Sequence, residues 1–225
     1  MQYYTRERLE NVRVENGMLV IEGRIESMDN PDYKPGSSHW REQRKTAHYT
    51  SGSINTNGKV DFLYGRIEMR AQLPQGRGVW PAFWALGTNR SEKGWPLCGE
   101  IDIMEYVGKE PHTIHANIHH ADPNITDRVQ HRWVPTGKIE INEPYNNFHI
   151  YAIEWDEEKI DFFVDDTLYA TFNIEDAGPG AENPFRKPHY LLVNLALGGH
   201  WGGEIDESFL PQKYIVDYVR AYRSR

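Results

Sequence analysis

Apolar and polar residues alternate with a period of two along most of this chain. Ile67, Met69, Ala71 and Leu73 interleave with Arg66, Glu68, Arg70 and Gln72. That pattern predicts a strand with one buried and one polar face, placed within residues 60–73 and closed by Pro74. Short strands are also expected at 12–14 and 19–21, on either side of Asn16-Gly17, a pair that tolerates the positive φ of a tight hairpin. Asn57-Gly58 repeats that signal ahead of the 60–73 run. Further strands are predicted at 79–87, 99–107, 113–120, 148–155, 160–164, 167–172, 190–197 and 214–222, separated by clusters of Gly, Pro, Asn and Asp. No stretch of twelve residues carries a 3.6-residue period.

Strands recurring with short connections predict an all-β protein, a two-sheet antiparallel β-sandwich. Nothing resembling a repeat, a low-complexity tract or a linker divides it, so residues 1–225 are expected to form one domain. The formal charge of −8 repels nucleic acid and anionic lipid but is indifferent to a neutral polymer. Aromatics are abundant, with 7 Trp and 13 Tyr. Such rings fill sandwich cores and also stack on the apolar faces of ligands. Cys98 is the only cysteine, so no intrachain disulfide is available. The opening residues lack the apolar core of a signal peptide, and no apolar run is long enough to span a bilayer. The protein is expected to be secreted or periplasmic with its leader absent from this sequence, or else cytoplasmic.

The richest chemistry lies in Gly99-Glu100-Ile101-Asp102-Ile103-Met104-Glu105-Tyr106. On a regular strand Glu100 and Asp102 share one face, while Glu105 points the other way, into the core. A buried unpaired carboxylate costs several kcal/mol or forces its proton on. One extra residue at 103–104, a β-bulge, restores Glu105 to the acidic face. Three carboxyls then line one groove, and a pair of them suits retaining glycoside hydrolysis, one as nucleophile and one as acid and base. Asp102 between them raises the proton affinity of Glu105. A solvated acidic face or an oxygen-ligand site for calcium fits the spacing as well.

Trp80 and Trp95 sit in loop-like context beside Gly and Pro and are candidates for a sugar-binding floor, whereas Trp84 and Trp155 are expected in the core. His115, Asn117 and His119 share a strand face, with His120 on the other. Hydrogen bonding to substrate hydroxyls suits these histidines better than zinc, for which HExxH and cysteine ligands are both missing. His48, His149 and His189 are expected to be structural.

These residues resemble glycoside hydrolase family 16 in its bulged, laminarinase-like form. The resemblance rests on Glu100 to Glu105 and on segments in matching order: 2–5, 11–14, 64–70, 78–84, 194–199 and 216–220. It covers essentially the whole chain. It implies a jelly roll of the concanavalin A-like kind with a concave open cleft, cutting within chains, and net retention. It implies Glu100 as nucleophile, Asp102 as assisting carboxylate and Glu105 as general acid and base. Arg70, Trp80, Trp95 and His119, with Asn55 in addition, would line sugar subsites. The substrate would be β-1,3-glucan or mixed-linkage β-1,3-1,4-glucan, cut by a monomer that needs no cofactor. Some relatives hold a structural calcium on the convex face, where Asp217 matches a ligand. The N-terminal strand of such relatives, which helps form that calcium site, is absent before Gln2. The competing expectations are an enzyme for another β-linked polysaccharide, a non-catalytic β-glucan-binding protein on the same fold, and a metal-dependent hydrolase built on the histidine strand.

Overall fold

A computed structural model describes residues 2–39, 41–125 and 128–223. Fifteen strands are present among them. The first five are β1 (Tyr3–Tyr4), β2 (Val12–Glu15), β3 (Met18–Asp29), β4 (Thr46–Ser51) and β5 (Ser53–Asn55). Then come β6 (Gly65–Gln72), β7 (Val79–Gly87), β8 (Glu100–Tyr106), β9 (Thr113–Ala121) and β10 (His131–Glu140). The last are β11 (His149–Trp155), β12 (Lys159–Val164), β13 (Thr167–Asn173), β14 (His189–Leu197) and β15 (Gln212–Tyr222). The two α-helices, Arg90–Lys93 and Gly199–Gly202, are single turns.

Nine strands form one sheet in the order β1-β4-β3-β15-β6-β11-β12-β13, with β2 added on β3; six form the other in the order β10-β9-β8-β7-β14-β5. Every pairing is antiparallel except β1 with β4. This is the predicted two-sheet sandwich. The alternation seen in the sequence decides which faces meet. Ile67, Met69 and Ala71 of β6 are buried with Tyr151, Ile153, Phe162 and Tyr214 on the inner face of the larger sheet. They pack against Phe83, Ile101, Ile103, Met104, Ile118 and Leu195 of the smaller sheet. Each such side chain contributes about 1.5–3 kcal/mol relative to leaving it in water. Trp155 belongs to this core as expected, its indole N–H donating to the Phe185 carbonyl at 3.1 Å.

Asn16 (φ 53°) and Gly17 (φ 80°) make the predicted hairpin, with Glu15 facing Met18. Asn57-Gly58 does not make a second one. There the chain leaves β5 in the six-stranded sheet and joins β6 in the nine-stranded sheet, so the turn separates layers. The strand predicted from residue 60 accordingly begins only at Gly65, and Val60 and Leu63 are exposed. Strands β1, β4, β5 and β10 were not predicted. β10 is an edge strand, mostly exposed, with Pro135 and a register shift between Pro135 and Gly137, so neither face shows a clean hydrophobic rhythm.

Candidate active site

The outer face of the six-stranded sheet carries a cleft of about 600 Å³ crossing β5, β14, β7 and β8. Glu100, Asp102 and Glu105 all line it. They do so because β8 is bulged. Across β8 and β9, Asp102 faces Asn117 and Glu105 faces His115, so three steps on one strand match two on the other. On the other side, Ala82 faces Glu105, Phe83 faces Met104 and Trp84 faces Asp102, which leaves Ile103 without a partner. Ile103 and Met104 both turn inward and are fully buried. The extra residue expected there is present.

Each carboxyl is held by a different set of donors. Trp95 Nε1 donates to Glu100 Oε2 at 2.9 Å. Trp80 Nε1 donates to Glu105 Oε1 at 3.0 Å, and Asn117 Nδ2 to Glu105 Oε2 at 2.6 Å. Asn117 has only one orientation open to it, because its Oδ1 accepts from Trp133 Nε1 at 3.0 Å. His119 Nε2 lies 3.2 Å from Asp102 Oδ2 and 3.9 Å from Glu100 Oε1, while its Nδ1 is 2.8 Å from His131 Nε2. His131 in turn packs at 4.4 Å between ring centroids against Trp95.

Crowding three carboxyls into a partly dry groove raises the proton affinity of all of them. Burial, then the neighbouring Asp102, pushes Glu100 up to about 8, although His119 and the Trp95 N–H favour its ionised form. Burial, then the charge of Glu105, holds Asp102 well above the usual carboxylate range. Burial also raises Glu105, against the opposing pull of Asn117 and Trp80. The row therefore titrates as a set. Asp102 is the group best suited to keep a proton. It is the most deeply buried of the three, and the charge of Glu105 bears on it. A proton on Asp102 donated toward Glu100 leaves the latter ionised.

Of the sequence-predicted subsite residues, Trp80, Trp95 and His119 stand at this row. Trp80 packs edge-on against Trp201 at 5.5 Å, and Trp95 is 45% exposed, open to a ligand. Asn55 lies on the edge strand, on a smaller cavity beside the cleft rather than in it. Arg70 is not brought to the cleft. It projects from the polar outer face of β6 in the opposite sheet, donates to Asp217 Oδ2 at 2.7 Å and lies 4.6 Å over the Phe148 ring. The alternation that buries Met69 and Ala71 requires Arg70 to face away. Asp217, with that guanidinium on its carboxylate, offers one charged oxygen ligand where calcium takes six to eight oxygens. Among the described residues no further carboxylate or histidine completes a metal-ligating group there, so calcium at this position would need backbone carbonyls and water beside Asp217.

Trp84, expected in the core, instead lines the cleft and donates to Asn194 Oδ1 at 2.7 Å; Asn194 Nδ2 donates to Tyr4 Oη at 3.0 Å. Strand β7 lies in the middle of its sheet with both faces apolar, so composition did not show which face was core. His131, Trp133, Trp201 and Asn194 were missed, two of them because β10 was. His115, opposite Glu105, bonds Glu110 at 3.1 Å and meets Trp201 edge-on, and His120 is buried against Phe172 and Phe185. The histidines of β9 therefore do not converge on one another. The atoms that could hold a metal, one each from Glu100, Asp102 and His119, lie within 4.8 Å of one another and belong to the carboxylate row itself. His189 is buried and His149 pairs with Asp165 at 2.9 Å, both structural; His48 is simply exposed.

Two glutamates on one strand, facing a groove with indole walls across a β-sandwich, define a glycoside hydrolase. Residues 10–220 match the family model "Glycosyl hydrolases family 16", and the chain belongs to that family. It is 41% identical over 231 residues to a "Beta-glucanase" of Rhodothermus marinus, covering 99% of this chain and 74% of the relative. It superposes on the laminarinase catalytic domain of Thermotoga maritima MSB8 with a TM-score of 0.82 and 38% identity, covering 100% of this chain and 83% of that one. A solved structure from work on the endo-acting O-glycanases with which members of the human gut microbiota initiate mucin breakdown gives a TM-score of 0.89 and 37% identity, covering 100% and 80%.

Proposed function

We propose that this chain is a retaining endo-β-1,3-glucanase that cuts laminarin-type glucans, and mixed-linkage β-1,3-1,4-glucans besides. The bulge at Ile103 carries this reading, because it sets Glu105 on the cleft beside Glu100 with Asp102 between. In the first step Glu100 attacks the anomeric carbon, Glu105 gives its proton to the departing glycosidic oxygen, and a glycosyl ester forms on Glu100. Water, deprotonated by Glu105, then breaks that ester and restores the anomeric configuration. Asp102 keeps the proton that would otherwise sit on Glu100. Enzymes of the family need no cofactor for this chemistry. An open cleft supports endo cleavage, and because one chain supplies all three carboxyls a monomer suffices for it. A polymeric substrate too large to cross a membrane favours a secreted or periplasmic enzyme.

Reducing-sugar release from laminarin by the wild-type chain, abolished in Glu100→Ser with binding retained, is the expected result. No release from laminarin sinks the glucanase reading, and persistent hydrolysis in the variant sinks the nucleophile. Proton NMR of the first product should show the β anomer before mutarotation; an initial α signal refutes retention. A second reading, an endo-enzyme for another β-linked glycan, is favoured by the TM-score of 0.89 to the mucin O-glycanase structure. A panel of purified polysaccharides separates the two.

A further inference from the structure

Beside the cleft, at the β5 edge of the six-stranded sheet, lies a separate cavity of about 310 Å³. Its lining contains three guanidinium groups, those of Arg6, Arg41 and Arg44, against a single carboxylate, Asp32. A chain of net charge −8 makes such a cluster conspicuous. Arg6 and Arg44 form no salt bridge and no side-chain hydrogen bond among the described residues. Asp32 accepts from the Tyr3 hydroxyl, and its single charge cannot balance both Arg6 and Arg44.

The cavity is built and continuous with the cleft. Gln2, Tyr4, Arg41 and Ser53 line both. Gln2 Oε1 accepts from the Leu197 backbone N–H at 2.8 Å, and Tyr4 Oη accepts from Asn194, which ties the cavity's wall to the cleft floor. Strand β5 lies three strands from β8, roughly 14 Å at about 4.8 Å per strand. A glycan lying across the sheet therefore reaches the cavity a few sugar units from the bond being cut.

We propose that this cavity is an anion subsite, which takes a sulfate ester or a carboxylate carried by a distal sugar of the substrate. Guanidinium forks bind both groups through paired N–H···O contacts, whereas an unsubstituted glucan offers them only hydroxyls. The proposal rests on the cleft being a polysaccharide groove, and it extends the substrate class from neutral glycans to acid-substituted ones.

The test uses the Glu100→Gln protein, so that ligands survive, with and without the further pair Arg6→Ala and Arg44→Ala. Titration calorimetry at low and at moderate salt compares a β-1,3-gluco-oligosaccharide with its 6-O-sulfated and its C6-carboxylated forms. At least one anionic form should bind about tenfold more tightly than the neutral one, the worth of one charge-assisted hydrogen bond. That preference should shrink with salt and fall to about unity in the arginine variant. The two anionic forms tell sulfate from carboxylate. Equal binding of all three forms, or a preference that survives the arginine variant, overturns the proposal. Inorganic sulfate, followed through the Arg6 and Arg44 Nε–H resonances, probes the cavity without any sugar. A failure of laminarin hydrolysis thus tells against the glucanase reading alone, and unmoved arginine resonances tell against the subsite alone.

Discussion

Replacing Glu100 by glutamine should destroy activity and stabilise the fold. In the folded protein Glu100 is pushed from the ordinary 4.5 up to about 8. At pH 7 the unfolded chain releases this proton, whereas the folded row retains one that Glu100 and Asp102 share. Over the roughly 2.5 pH units between the ordinary value and neutrality, at about 1.36 kcal/mol each, this costs the fold about 3 kcal/mol. The side chain is 17% exposed to the water of the cleft, which brings the expected gain to about 2 kcal/mol. Glutamine keeps the acceptor for the Trp95 N–H and sheds the penalty. The sign follows from the raised value. The penalty is absent below pH 4.5, grows as pH rises, and is complete above about 8. Scanning calorimetry at pH 4, 7 and 9 should therefore show matched melting at pH 4. At pH 7 Tm should rise by about 4–8 °C, at about 2–4 °C per kcal/mol for a chain of this size, and the gain should be largest at pH 9. Hydrolysis should fall at least about a thousandfold. A gain equal at pH 4 and pH 9, or a loss of stability at pH 7, refutes the assignment of a strained, proton-retaining row.

Asp102→Asn removes the charge that raises Glu100 after burial, so the acid limb of the kcat/KM profile should move to lower pH, together with a fall in kcat; a limb that stays in place removes Asp102 from the row's electrostatics. Asn117→Ala deletes a bond that favours ionised Glu105, so the alkaline limb should move to higher pH and kcat should drop about tenfold or more; Trp133→Phe, which only frees the Asn117 amide, should do the same more weakly. Trp95→Ala should raise KM and, by stripping a hydrogen bond from Glu100, lower kcat; a change in KM alone would make Trp95 a platform and nothing more. A strong chelator should leave both activity and melting unchanged, since the Asp217 carboxylate is already paired with Arg70; a lower Tm that calcium restores would overturn that reading.

The layers of this sandwich were legible where a strand has one wet face, as in β6, whose alternation predicted both its burial and its partners. Legibility failed where that contrast is weak. β7 is apolar on both sides, so Trp84 was assigned to the wrong one, and β10 has no clean rhythm on either side, so the strand went unseen together with His131 and Trp133. The row of carboxyls was readable because Glu105 in the core would have been too costly, and a bulge was the cheapest remedy available to the backbone. Arg70 was carried to the cleft by resemblance, although its own alternation with Met69 and Ala71 already pointed it outward. Spacing along one strand fixed Glu100, Asp102 and Glu105; the donors around them come from β7, β9 and a loop, and only the pairing of strands brings those together.

The looped-out isoleucine also gives the groove an escape route in sequence space. Losing either Ile103 or Met104 shortens the interval between the glutamates to an even number of steps, so an ordinary flat strand would display the same three acids in the same order. Only one greasy side chain would vanish from beneath them. A single codon lost thus converts one backbone into another with the reactive groups still aligned, and two architectures of the groove stand one deletion apart.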